Sequence, residues 1–138
     1  MKIDRADVFY NYRLNDEEKY QEFQENEIDY KRAVEVFDKF PWENELKLLE
    51  IQDSSGGISF SKGIYSKDNY LSFLILCDEH HKVTIMASVV LKKGFFFGLI
   101  GSKSIDKDYT NISHTQAKEI LKSIFTKDIE TLYDQFSS

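Results

Sequence analysis

Cys77-Asp78-Glu79-His80-His81 gathers four residue types that bind metals or move protons into five positions. A metal centre needs three or four ligands converging on one point, whereas successive residues at a strand end point to opposite sides. The run lies between two apolar stretches and has the polar composition of a turn, so it reads as a solvated hairpin loop behind a buried cysteine. With no second ligand cluster apparent, no metal and no cofactor are predicted. His114 falls in the first turn of a capped helix without an acid or nucleophile at motif spacing, which predicts an exposed imidazole outside any catalytic role. Gly94 to Ser104 approaches a phosphate-binding loop, but Ser102 separates Gly101 from Lys103, and the Walker pattern requires them contiguous at the start of a helix. Gly98-Leu99-Ile100-Gly101 has the bare spacing of an RNA-clamping loop, yet it sits in strand-like sequence with little positive charge around it. No catalytic residue is assigned, and a non-enzymatic protein is expected.

Charge is distributed more unevenly than these motifs. The stretch from Asn15 to Asp29 holds seven acids (16, 17, 18, 22, 25, 27 and 29) against one base, Lys19. Its excess matches the whole-chain imbalance of 24 acidic over 18 basic residues, so the remainder is neutral. A concentrated acidic surface steers and binds basic partners, because summed charge raises encounter rates and favours surfaces of opposite sign. The same acidity disfavours nucleic acid, whose phosphates require clustered Lys and Arg.

Hydrophobic residues make up 41% of the 138, with 14% aromatic, six glycines and one proline, a composition that folds around a core. One domain over 1–138 is expected from the length. Cys77 has no second cysteine to pair with, and Met1 to Asp7 carries acids where a signal peptide would be apolar; both favour the cytoplasm. Apolar runs at 70–77 and 85–91 fall short of the roughly 20 residues that span a bilayer, so no membrane is expected.

The elements follow from periodicity. Residues 5–14 read as an aromatic strand or an irregular arm. Asn15 resembles an N-cap with acids in the first turn, which predicts a solvent-exposed acidic helix from residue 16. Tyr30, Ala33, Val34 and Phe37 lie at i, i+3, i+4 and i+7, an amphipathic helix ending before Pro41; Trp42, Leu46 and Leu49 give the buried face of the next. The helical acidic N-terminal part thus spans 15–50. From Ile58 the period becomes alternating, and strands are expected over 58–100. Tyr70 to Cys77 and Val83 to Leu91 are nearly all apolar, which suggests central strands covered on both faces. Lys92-Lys93-Gly94 turns into a fourth strand, Phe95 to Ile100, and a polar loop over about 101–112 leads to C-terminal helices within 113–136. Ser113 with Gln116 forms a capping box, and Thr126 resembles a second cap. The fold class is α+β: an antiparallel four- to five-stranded meander flanked by N-terminal and C-terminal helices. Phe95, Phe96, Phe97 and Leu99 would make an apolar edge needing cover, supplied by the arm at 8–12 or by a second copy in a homodimer through strand 95–100.

A single acidic domain, Phe40-Pro41-Trp42-Glu43 closing helical sequence before Gly56-Gly57-Ile58-Ser59-Phe60, then a meander and C-terminal helices, resembles the small cytoplasmic immunity proteins that protect bacteria from polymorphic or contact-dependent toxins. The resemblance implies a toxin inhibitor acting through protein–protein interaction, occluding the active site of a basic nuclease with acidic side chains as phosphate mimics. Glu17, Glu18, Glu22, Glu25 and Asp29 are the candidates for that partner-binding surface. Two alternatives stand beside it: a small-ligand-binding or catalytic domain with a pocket between sheet and helices, lined by Tyr65, Tyr70, Phe73 and Tyr109, and a structural homodimer.

Overall fold

A computed structural model of the chain describes residues 3–14, 19–64, 68–96 and 99–138, and the side chains of all of these but 93–96 and 99–101. It holds β1 (Ala6–Tyr12), β2 (Gln21–Ile28), α1 (Tyr30–Lys39), α2 (Trp42–Gln52), β3 (Gly57–Lys62), β4 (Tyr70–Cys77), β5 (Lys82–Phe96), β6 (Leu99–Ser113), α3 (His114–Thr126) and α4 (Ile129–Phe136). The strands form one antiparallel sheet in the order β2-β1-β3-β4-β5-β6. The architecture is the expected α+β arrangement, with six strands where four or five were predicted.

Period-2 alternation divides this sheet into two faces. Val8, Phe60, Phe73 and Ala87 lie opposite one another across four strands and are buried, as are Ile58, Ile75 and Ile85 in the next row. The helices pack on this side, and the buried apolar side chains of sheet and helices form one connected core. The intervening residues of β4 and β5, among them Ser72, Leu74, Met86 and Ser88, are half-buried or exposed. These strands are therefore covered on one face, not both. Their continuous apolar runs concealed this, and the signal was Ser72, Thr84 and Ser88 set among branched residues.

The helices start and stop for local reasons. Asp29 caps α1, its carboxylate accepting the Arg32 N–H at 2.9 Å, and α1 buries Ala33, Val36 and Phe37, with Val34 only half-buried. Phe40 is extended, as a residue before proline should be, and Pro41 delivers Trp42 to the start of α2. The Trp42 indole donates at 2.9 Å to the Phe37 carbonyl in the last turn of α1, which also takes a longer bond from the Phe40 N–H at 3.3 Å. Leu46 and Leu49 pack against the core as expected, with Leu48 more deeply buried than either. The Ser113–Gln116 capping box is present. Thr126 instead ends α3, and Asp128 caps α4 by accepting the Thr131 N–H at 2.7 Å.

Three expectations about the strands are corrected. The acidic stretch is no helix over its described part: Gln21–Ile28 is the edge strand β2, while Asn15 to Glu18 lie outside the described residues. Glutamate and glutamine favour helix only weakly, and pairing with β1 outweighs that preference, helped by Phe23 stacking on Tyr10 and Tyr12 at 5.0 and 5.2 Å. Residues 5–14 accordingly contain a strand, β1, which pairs with β2 and β3 and not with 95–100. The polar segment 101–112 belongs to β6: Ile105 and Tyr109 pack inward while Asp106 and Asp108 are exposed, the pattern of an edge strand with one wet face. Phe95 and Phe96 therefore close the internal strand β5 and Leu99 and Ile100 open the edge strand β6, with their side chains outside the described set, while Phe97 lies outside the described residues.

Among the described residues three buried charged side chains, Arg13 paired with Glu45 and Lys62 on its own, fasten the ends of the sheet. Glu45 of α2 accepts the Arg13 N–H at 2.7 Å, the Gly56 N–H at 2.7 Å and the Arg13 guanidinium at 3.2 Å, while that guanidinium also reaches Gln52 and the Ser54 carbonyl. Gly56 is required there, since a Cβ would lie 2.0 Å from the Asn11 carbonyl oxygen. Lys62 donates to the Ile3 and Ile124 carbonyls, the latter an open acceptor in the last turn of α3. Among the described residues no helix is long and apolar enough to cross a membrane.

Candidate functional site

Of the five acidic candidates the structure describes Glu22, Glu25 and Asp29, and it does not put all three on one face. Glu17 and Glu18 lie outside the described residues. Glu22 is exposed on β2 opposite Asn11, on the side away from the helices. Glu25 turns toward α1, where both its oxygens meet Arg32 at 2.8 and 2.6 Å, and it accepts from the Tyr10 hydroxyl at 3.4 Å. The Arg32 hydrogen bonds hold its carboxyl below the usual carboxylate range. Asp29 is committed to capping α1 and lies 3.8 Å from Arg5. A strand sends alternate residues to opposite faces, so a run of acids that a helix could have spread along one side is divided by β2 between two.

The open face of the sheet presents a different surface. One row across it runs Phe9, Ser59, Leu74, Met86 and Asp108, each in register with the next. Phe9 and Met86 are 40% and 45% exposed although both lie within the sheet. The neighbouring row runs Asp7, Ser61, Ser72, Ser88 and Asp106. Ser72, Leu74, Met86, Ser88, Asp106 and Asp108 bound a shallow groove of about 360 Å³ with apolar walls and two carboxylates at the β6 side. Sequence reasoning missed it because Asp106 and Asp108 were assigned to a loop.

A second cluster forms at the β4–β5 turn. Glu43, in the first turn of α2, reaches this turn and lies with one oxygen 2.6 Å from His80 Nδ1 and the other 3.6 Å from His81 Nδ1. All three side chains are exposed. The two imidazole rings stand 3.8 Å apart, on one side of the chain, because His81 adopts the left-handed conformation at φ 59° and breaks the alternation of a strand end. His114 joins from α3, its ring edge-on to His81 at 6.4 Å and to Phe37 at 5.2 Å, with Nε2 buried and without a hydrogen-bond partner. The chain's three histidines thus gather at one end of the sheet, and His114 is half-buried where exposure was expected. Desolvation works against ionisation of Glu43, but the His80 hydrogen bond, the His81 N–H and both imidazoles outweigh it and hold this carboxyl below its ordinary value. Burial, then the charges of His81 and Lys118, lower the pKa of His114. Beneath the turn, burial and the Glu45 carboxylate push the Cys77 thiol up to about 12, which leaves it an inert core residue.

The lining proposed for a pocket between sheet and helices is divided by the sheet. Phe73 and Tyr109 face the helices, Tyr70 alternates to the open side, and Tyr65 lies outside the described residues. No family model, curated protein or solved structure matches the chain.

Proposed function

We propose that the chain is a non-enzymatic binding protein that docks a basic protein through the open face of its sheet. The observation that carries this reading is the row Phe9, Leu74 and Met86, which leaves Phe9 and Met86 exposed on either side of a half-buried Leu74 and ends on Asp108. Exposed apolar area rimmed by polar groups is the mark of an interaction surface. Asp106 and Asp108 at one edge and Glu22 at the other supply the charge, and the net −6 of the chain adds long-range attraction for a cation-rich partner. The groove between Leu74, Met86 and the two aspartates suits an arginine or lysine, whose stem needs apolar walls and whose head needs carboxylates.

Within that class, an immunity protein that neutralises a basic toxin in the cytoplasm is the reading the acidic face favours, with carboxylates standing in for the phosphates of a nucleic-acid substrate. A photo-crosslinking residue at Met86, with a control at Glu35 on α1, tests the docking face in cells of the native host. The expected product is a basic protein captured at Met86, absent at Glu35 and lost on Asp106→Lys/Asp108→Lys. Equal capture at both positions would remove the open face from consideration. Protection of cells that express the captured protein tests the immunity reading separately.

A further inference from the structure

We propose that Glu43, His80 and His81 form a binding site for a divalent transition cation of the zinc class. The ligand atoms already lie within 4.8 Å of one another, with both oxygens of one carboxylate facing the Nδ1 atoms of two imidazoles. Bonds of about 2.1 Å at tetrahedral angles place ligand atoms roughly 3.4 Å apart, so small side-chain rotations convert this arrangement into coordination. Two imidazoles and a carboxylate suit a borderline cation better than calcium or magnesium, which prefer oxygen. Such a set leaves one position open to solvent, or to a side chain of a bound protein.

The hairpin turn accounts for the placement: His81 takes a left-handed conformation, as Glu27, Asp53 and Asn111 do elsewhere, and this brings two consecutive imidazoles to one side, with the His81 N–H 3.4 Å from Glu43. His80 Nδ1 and a Glu43 oxygen lie within hydrogen-bond distance at 2.6 Å. A cation would take the place of that hydrogen bond, with each imidazole presenting Nδ1 unprotonated.

The test uses tag-free protein, zinc chloride and two readouts, calorimetry and the imidazole resonances of the three histidines. The site predicts saturable binding of about one zinc per chain, with His80 and His81 resonances moving at the first equivalent and His114 moving least. Glu43→Gln should weaken binding roughly tenfold or more, and His80→Gln/His81→Asn should abolish it; asparagine tolerates the left-handed turn and so preserves the fold, which far-ultraviolet circular dichroism checks. Absence of saturable binding, or binding that survives the double substitution, would overturn the site and leave Glu43 as an exposed hydrogen-bond partner of His80. Failure here leaves the docking face untouched, because the two share no residue.

Discussion

Phe73 and Leu74 are neighbours in one strand, yet they lie on opposite faces of the sheet with different cover. Phe73 sits in a row with Val8, Phe60 and Ala87 that four helices help to seal; Leu74 sits in a row with Phe9 and Met86 that none of them covers. The strand geometry is the same on both sides. What differs is the cover, so the helical face holds the stabilising burial, at about 1.5–3 kcal/mol for each large apolar side chain, while the open face is available to bind.

Substitutions should separate the faces by size of effect. Phe73→Ala and Trp42→Ala each remove a large buried ring and should cost about 3–5 kcal/mol, read as a lowered urea midpoint; the indole also gives up its bond to Phe37. Glu45→Ala should cost a similar amount, about 3–5 kcal/mol, because it strands the buried Arg13 guanidinium and the N–H groups of Arg13 and Gly56. A midpoint unchanged by either class would place the core elsewhere. On the open face Leu74→Ser and Met86→Ser should stay within about 0.5 kcal/mol of the parent. A loss there as large as that of Phe73→Ala would show that the open face is covered.

His114 gives a smaller, pH-dependent effect on the helical side. Its folded-state pKa is lowered, mainly by burial, with His81 and Lys118 adding to the shift and Glu43 and Asp38 opposing it. The folded protein therefore binds this proton less readily than the unfolded chain does. The stability so gained is present above the unfolded pKa of about 6.5 and is lost as pH falls through that value toward the lowered one. Urea midpoints should drop between about pH 7.5 and about pH 5.5, and His114→Phe, which keeps the ring against Phe37, should drop less over the same window. An equal drop would assign the pH response to other groups.

The legibility of the fold followed the strength of local signals. α1, α2, the Ser113 capping box and the turn after Cys77 were readable because capping residues and helical spacing are local properties. β2 and β6 were not, since Glu22 to Glu27 and Asp106 to Thr110 carry few apolar residues and become strands only through pairing with β1 and β5. The site was hidden for a related reason. Asp106 and Asp108 acquire meaning from Met86 and Ser88 across the ladder, and Glu43 meets His80 from 37 residues away in sequence, neither of which is visible as spacing.

The docking claim rests most directly on charge at the β6 edge. The decisive measurement compares the association rate of the Met86-captured partner with the parent and with Asp106→Asn/Asp108→Asn, at low and at high salt. Removing steering charges acts chiefly on the on-rate, so the amide variant should associate several-fold more slowly at low salt and show a flatter salt dependence, with its urea midpoint unchanged. Equal rates and equal salt slopes for the two proteins would contradict the open acidic face as the surface that recognises a basic partner.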